Sequence, residues 1–496
     1  MTAATTHIQA QTPLWQNFWI IAAALTALRV LTLMLTPLGL GPDEAQYWYW
    51  SRDLDFGYFS KPPLIAWAIG LTTALFGSAD WAARLSAPLF HFGAAALLYL
   101  AAQRLFEARA AFWTGLSWLV MPGIILSSFI IATDAPLLFF WTAALYLLVR
   151  IIDASKPATA DFACLGAMIG LGIMSKYAMI YFPVAMALCL FVTPLREKLL
   201  RPHLLLTALI ALIVFAPNLI WNAQHDFQTL SHTAANANWS EKLFKPLNLL
   251  EFIGGQFVVF GIIPFAALCW LAINRTGWAT DSRRLMLLIF TLTPLGIVAA
   301  QAFLSRAHAN WAAAAYPAAC LLVTGLLLQS GKAFFVKLSA GFHALLLAVF
   351  TCGVLAPTLI DGVGLARAVK DLRGWGSQTK EIMTYAPGYD AVLIDDRYLM
   401  GEMLYHQRDS KIEIASIDPN SSIDNHFEAF RGFDPARMNR VLFVTTRDDA
   451  AHVDYRFRTI IPLGVTQSSP GKGQIRRYKL YELSDYFGPD AGQRSD

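Results

Sequence analysis

The chain has 496 residues, 56% of them hydrophobic and 15% charged, with a formal net charge of +4. Soluble globular chains carry roughly 25% charged residues, and here the apolar residues fall in runs that reach the ~20 needed to cross a bilayer as a helix. The composition therefore excludes an ordinary soluble domain, and so small a positive charge gives no ground for a nucleic-acid partner.

The N-terminal stretch MTAATTHIQAQTPLWQN is polar and lacks a basic n-region. The apolar run after it, FWIIAAALTALRVLTLMLTPLGL, is longer than a signal-peptide core and reads as a retained transmembrane helix. Window hydropathy then predicts about eleven spans, at 15–38, 81–104, 111–127, 134–152, 162–175, 177–194, 203–222, 248–273, 285–303, 311–329 and 334–357. Between 43 and 78 lie two shorter helices, broken by GYFSKPP, that suit the membrane surface. The aromatic residues 47–50 fit a helix at headgroup level.

The cysteines, Cys164, Cys189, Cys269, Cys320 and Cys352, all sit in apolar segments without paired spacing. They give no disulfide framework and no zinc site. The connections holding Arg104/Arg109, Arg150/Lys156, Arg196/Lys198/Arg201, Arg275/Arg283/Arg284 and Lys332 alternate so as to share one side. By the positive-inside rule that side is cytoplasmic, and the N-terminus joins it. The opposite side receives the loop 39–80, the turns near 128–134 and 175–177, the loops 223–247 and 304–310, and everything after about 358.

Past 358 the composition changes. YDAVLIDD, KIEIAS, RVLFVTT and RRYKLYEL read as strands, and DRYLMGEMLYH between them as a helix. The expected fold class is a polytopic α-helical membrane protein with two interfacial helices in its first outer loop. Residues 1–357 form the membrane domain, and 358–496 form a small C-terminal α/β extracytoplasmic domain.

Charged residues at membrane depth are functional-site candidates. On the outer side they are Asp43, Glu44, Lys61, Asp134, Lys176, Arg306 and His308. Each also has an ordinary reading. Pro42 fits the first position of a helix, where Asp43 and Glu44 complement the dipole. Against this, Asp43 shares a helical face with Tyr47 and Trp50, an acid-and-aromatic face suited to a sugar. Lys61 stands before two prolines that hold the backbone extended; it is either a snorkelling lysine or a point cation for a lipid phosphate. Thr133 or Asp134 would cap the next helix, which is compatible with chemistry there. Lys176 marks a turn. RAHANW brings Arg306, His308, Asn310 and Trp311 to one helix mouth. Trp221, Asn222, His225 and Asp226 read as a solvated loop.

Taken in order, PDEAQY, YFSKPPL, TDAPLLFF and SKY resemble the membrane-embedded C-type glycosyltransferases of the protein O-mannosyltransferase-like superfamily. That superfamily includes the aminoarabinose transferase of lipid A and the galacturonosyltransferases of lipopolysaccharide. The resemblance covers roughly residues 15–330. It implies transfer of a sugar, with inversion, from a polyprenyl-phosphate donor to a glycolipid or cell-envelope glycan at the outer face of a bacterial inner membrane. Asp43 matches the essential first-loop acid, serving as base or as the group that orients the acceptor, with Glu44 beside it. Asp134 matches the second acid. Lys61 matches the lysine that meets the donor phosphate, with Arg306 and Lys176 as further phosphate partners. Tyr47, Tyr58, His308, Asn310 and Trp311 are the expected sugar or acceptor pocket; the late aromatic role falls on Asn310 or Trp311. A divalent cation at Asp43 and Asp134 is allowed by the two carboxylates and not required by them. The rival readings are a transporter or flippase of a lipid-linked sugar, a sensor, and, within the same chemistry, a protein O-glycosyltransferase. Repeated halves, which transporters commonly show, are missing from the sequence.

Overall fold

The computed structural model describes residues 17–192, 196–235, 243–274, 281–418, 420 and 422–488. Arg275, the stretch before Asn17 and part of the loop 223–247 lie outside them. Among the described residues, seven helices are long and apolar enough to cross a bilayer: Phe18–Leu35, Asp80–Leu105, Asp134–Asp153, His203–Gln224, Ser282–Leu304, Ala309–Gln329 and Ala333–Leu355. Each coincides with an expected span. The other four expected spans are shorter or broken. Residues 111–127 divide into Ala108–Val120 and Pro122–Ser127, because Pro122 has no N–H to continue the ladder. Residues 248–273 divide into Pro246–Val259 and Ile262–Ile273 at Gly261, whose φ is +103°. A Cβ at Gly261 would also come within 2.3 Å of His343. Thr159–Ser175 and Tyr177–Phe191 are apolar but shorter than a full span.

The bundle core is built from large side chains, among them Trp118, Trp141, Phe182, Phe290 and Tyr316, set between alanine-rich faces. Polar groups collect at its two ends. At one end Asp153 pairs with Arg104 at 3.4 Å and Arg283 at 2.9 Å, while Arg150 pairs with Asp161 at 2.9 Å. Asp153 closes the helix that Asp134 opens. The basic connections and the candidate site therefore stand at opposite ends of one bundle.

The two helices expected in the first outer loop are Pro42–Trp50 and Leu64–Phe76. Beyond the bundle, five strands form one sheet in the order β2-β1-β3-β5-β4. They are β1 Ala391–Ile394, β2 Glu413–Ser416, β3 Arg440–Thr445, β4 Phe457–Gly471 and β5 Gln474–Tyr486. The strands β1, β2 and β3 run parallel, and β3–β5 and β5–β4 antiparallel. The sequence reading found β1, β2, β3 and β5 and missed β4. That edge strand has no run of buried residues, and its register slips between Pro462 and Gly464.

The helix after β1, Arg397–His406, packs along the helix Pro42–Trp50. A Cβ on Gly401 would lie 3.3 Å from the Pro42 carbonyl oxygen. The Tyr405 hydroxyl donates to the Ser78 carbonyl at 2.9 Å and bonds Asp80, and its ring meets Trp48 edge-on at 4.9 Å. This docking corrects the reading of the aromatic run. Trp48 and Trp50 are 3% and 1% exposed, inside protein and away from lipid headgroups, because the sheet domain covers them.

Candidate active site

The helix Pro42–Trp50 starts with proline at its first position and two acids in its first turn. The acids then part. Glu44 points inward and is 2% exposed. Its Oε1 accepts from Arg84 Nε at 2.7 Å and the Ile131 N–H at 2.9 Å, and its Oε2 accepts from the Gly41 N–H at 2.9 Å. Arg84, itself fully buried, also donates to the Gly39 carbonyl at 2.7 Å and the Leu38 carbonyl at 3.2 Å. With both oxygens taken by buried donors, Glu44 holds the loop to the bundle and has no oxygen for substrate. The expected catalytic role of Glu44 is corrected accordingly.

Asp43 points outward, with 62% of its side chain exposed. Its Oδ1 accepts from Arg397 Nη1 at 2.9 Å, and the same Nη1 reaches Gln46 Oε1 at 2.8 Å. Oδ2 of Asp43 bonds none of the described residues. Arg397 and Gln46 were missed from sequence. Arg397 lies in the helical stretch DRYLMGEMLYH, but nothing in its local pattern says which face of which domain it meets.

Asp134 opens its helix, yet neither it nor Thr133 makes a side-chain cap. Its Oδ1 accepts from Lys176 Nζ at 2.8 Å, and its Oδ2 lies 3.4 Å from Asn310 Nδ2. Lys176 ends the helix Thr159–Ser175, so its turn position is what carries the ammonium to Asp134. Asp134 is thus committed to orienting Lys176 and Asn310.

Lys61 is half-buried and bonds none of the described side chains. Burial pushes its ammonium below the ordinary lysine value, Lys176 pushes it further, and Asp43 and Asp134 pull it back. Lys61 therefore sits in the common field of both acids, of Lys176 and of Arg397. Tyr47 faces the same group: burial, then Asp43, raises its phenol above the usual range.

The backbone carrying Lys61 is strapped from the side. Trp221 Nε1 donates to Asp55 Oδ2 at 2.6 Å, Asn218 Nδ2 to the Phe56 carbonyl at 2.6 Å, and Thr229 Oγ1 to the Tyr58 carbonyl at 2.6 Å. A Cβ on Gly57 would meet the Trp221 ring at 2.3 Å, so only glycine permits this approach. Trp221 and Asn222 are buried at the end of a long helix, which corrects their reading as a solvated loop. Tyr58 is likewise internal. Its ring stacks on Trp50 at 4.7 Å, and its hydroxyl is 3.0 Å from the Trp50 and Asp53 carbonyls and accepts from the Asp55 N–H at 3.1 Å. It shapes the loop, with no polar atom left for a sugar.

Asp43, Tyr47, Lys61, Asp134, Lys176 and Asn310 are thus gathered at one end of the bundle. Arg306 and His308 are exposed on the neighbouring link, with no hydrogen bond or ion pair to this group among the described residues. His308 meets Trp311 edge-on at 5.4 Å, and Trp311 packs against the cluster of Phe252, Val298 and Ala312.

A divalent cation fits this donor set poorly. Asp43 and Asp134 each face a cationic side chain, and among the described residues no three His, Cys, Asp or Glu side chains converge to hold a metal.

Residues 60–221 match the family model described as dolichyl-phosphate-mannose-protein mannosyltransferase. The chain is 32% identical, over 86% of its length and 90% of the relative's, to the lipid A galacturonosyltransferase RgtD of Rhizobium johnstonii. It is 25% identical over 41% of each chain to the lipopolysaccharide core galacturonosyltransferase RgtA of the same organism. Its fold matches that of ArnT from Cupriavidus metallidurans bound to undecaprenyl phosphate, with a TM-score of 0.64 and 16% identity, over 94% of this chain and 98% of that one.

Proposed function

The chain belongs to the C-type membrane glycosyltransferases, the superfamily that includes the lipid A galacturonosyltransferase it resembles, and from that premise we propose what it transfers, where and how. It is a glycosyltransferase of a multi-pass membrane protein family, which sets aside the transporter and sensor readings. We propose that the donor is a polyprenyl-phosphate sugar, that the acceptor is lipid A or another lipopolysaccharide glycolipid, and that transfer takes place on the periplasmic face of the inner membrane. The sugar we propose is a hexuronic acid, as the names of the similar Rhizobium enzymes suggest. Lys176 is paired with Asp134 and Arg397 with Asp43, which leaves Lys61 as the cation of this group available to the donor phosphate.

One observation carries the assignment of roles. Lys61, with no protein anion bonded to it, and the unbonded Oδ2 of Asp43 belong to one electrostatic group. A donor phosphate placed against Lys61 brings its anomeric carbon toward the acid. The acceptor hydroxyl gives its proton to Asp43 as its oxygen bonds the anomeric carbon. The bond from that carbon to the phosphate oxygen breaks, and the electron pair leaves with the polyprenyl phosphate. Charge of oxocarbenium type develops on the sugar and negative charge on the phosphate. Lys61 meets the latter, an interaction worth about 3–4 kcal/mol of barrier by analogy with oxyanion donors. Asp134 holds Lys176 in place. A single displacement inverts the anomeric carbon and leaves no covalent enzyme intermediate.

The test is release of polyprenyl phosphate by protein in nanodiscs, offered a polyprenyl-phosphate galacturonic acid and a lipid A acceptor. Wild type should release it and Asp43→Asn should not, at unchanged thermal stability. Release that survives Asp43→Asn would remove the acid from the mechanism.

A further inference from the structure

Away from Asp43, the seam between the first-loop helix and the sheet domain opens into a cavity of about 420 Å³. Three arginines line it: Arg52 from the end of the first-loop helix, Arg408 from just past the end of the helix Arg397–His406, and Arg431 from the sheet domain. None of the three forms an ion pair with a carboxylate among the described residues. Each is instead set over an aromatic ring. The Arg52 guanidinium is 5.7 Å and that of Arg408 6.0 Å from the Trp48 ring centre, and that of Arg431 is 5.8 Å from the Tyr49 ring centre. Arg408 Nη1 donates to the Tyr405 carbonyl at 2.8 Å and Arg431 Nη1 to the Tyr49 hydroxyl at 3.4 Å, which together with the ring contacts fixes the guanidinium planes and leaves their remaining N–H groups to donate. Asp409 is the one acid in the lining, against three cations. Planar forks held at a cavity wall are the arrangement that recognises phosphate oxygens in pairs.

We propose that this cavity is a phosphate-binding site for the headgroup of the glycolipid acceptor, an anchor outside the reacting cluster. It rests on the glycolipid-acceptor reading above and adds how that acceptor is selected. Arg397 opens and Arg408 follows the end of the ten-residue helix Arg397–His406, which is about 15 Å long. An acceptor of several sugars, with its phosphate at the arginines, spans that distance and brings a hydroxyl toward Asp43. The phosphate acts here as a recognition group and takes no part in bond making.

The test is equilibrium binding, so that it reads separately from transfer. Full-length protein in phosphatidylcholine nanodiscs is titrated with a bis-phosphorylated lipid A and with the same glycolipid after phosphatase treatment. Wild type should bind the phosphorylated form about tenfold or more tightly, the scale of one charge-assisted contact. The double variant Arg52→Gln/Arg408→Gln, at exposed positions, should lose that preference. Equal binding of both forms by wild type, or a preference that survives in the variant, overturns the proposal. If phosphatidylglycerol nanodiscs abolish the preference, the phosphate chemistry stands and the glycolipid source is overturned. Loss of transfer in Asp43→Asn with binding intact would leave this site standing on its own.

Discussion

Arg397 of the sheet domain donates to Asp43 of the loop after the first span at 2.9 Å, across 354 residues of sequence. One guanidinium nitrogen bonds both Asp43 and Gln46, so the sheet domain sets the direction in which the acid's second oxygen points. The domain is thereby part of the site and more than an appendage to it.

Arg397 should act by positioning. Replacing it with alanine is expected to lower kcat about 10–100-fold, the scale of misplacing a reacting group by an ångström. KM for the donor should change little. Arg397→Lys restores a cation beside Asp43 and should recover much of the loss, whereas a purely structural role would leave both variants with similar kcat and a lower thermal midpoint. Steady-state kinetics on the three proteins decides between them.

Glu44 and Asp43, adjacent in sequence, should fail in different ways. Glu44→Gln breaks a buried ion pair with Arg84 and is expected to cost about 3–5 kcal/mol of stability, seen as poor yield and a lowered thermal midpoint. Asp43→Asn should keep the midpoint and lose transfer by about 10²–10⁴-fold. A stable Glu44→Gln protein with selective loss of transfer would return Glu44 to the chemistry.

Lys61 should shape the alkaline limb of the pH profile. Its folded value is lowered from 10.5, by burial first, so its ammonium loses the proton at a lower pH than free lysine does. The kcat/KM limb, which reports the free enzyme, should therefore fall below that value. The kcat limb should sit higher, because bound phosphate favours the charged form. Lys61→Arg should carry the kcat/KM limb upward, since guanidinium stays charged. A limb that does not move in this variant would place the titration elsewhere.

Prolonged dialysis against EDTA should leave the transfer rate unchanged. The two acids that would hold a cation are engaged with Arg397 and with Lys176 and Asn310. Loss of transfer on chelation, restored by magnesium or manganese, would overturn this and give the carboxylates a metal to share.

Hydropathy by itself determined the class of the molecule and seven of its spans, because a bilayer demands unbroken apolar length and nothing in tertiary structure can replace it. Local signals also exposed most strands, the two first-loop helices, and the motifs carrying Asp43, Lys61, Asp134 and Lys176. Only the tertiary structure decided what those residues do. Whether an acid at a helix start meets water or a buried guanidinium depends on one step of helical rotation and on what packs there, and that separates Asp43 from Glu44. Trp48 and Trp50 read as headgroup-level aromatics, and Tyr58 as a pocket residue, until the sheet domain and the folded loop are seen to cover or enclose them. Arg397 was beyond reach for the same reason. A side chain's partner across 354 residues is set by how two domains dock, and no period or motif near either residue encodes that contact.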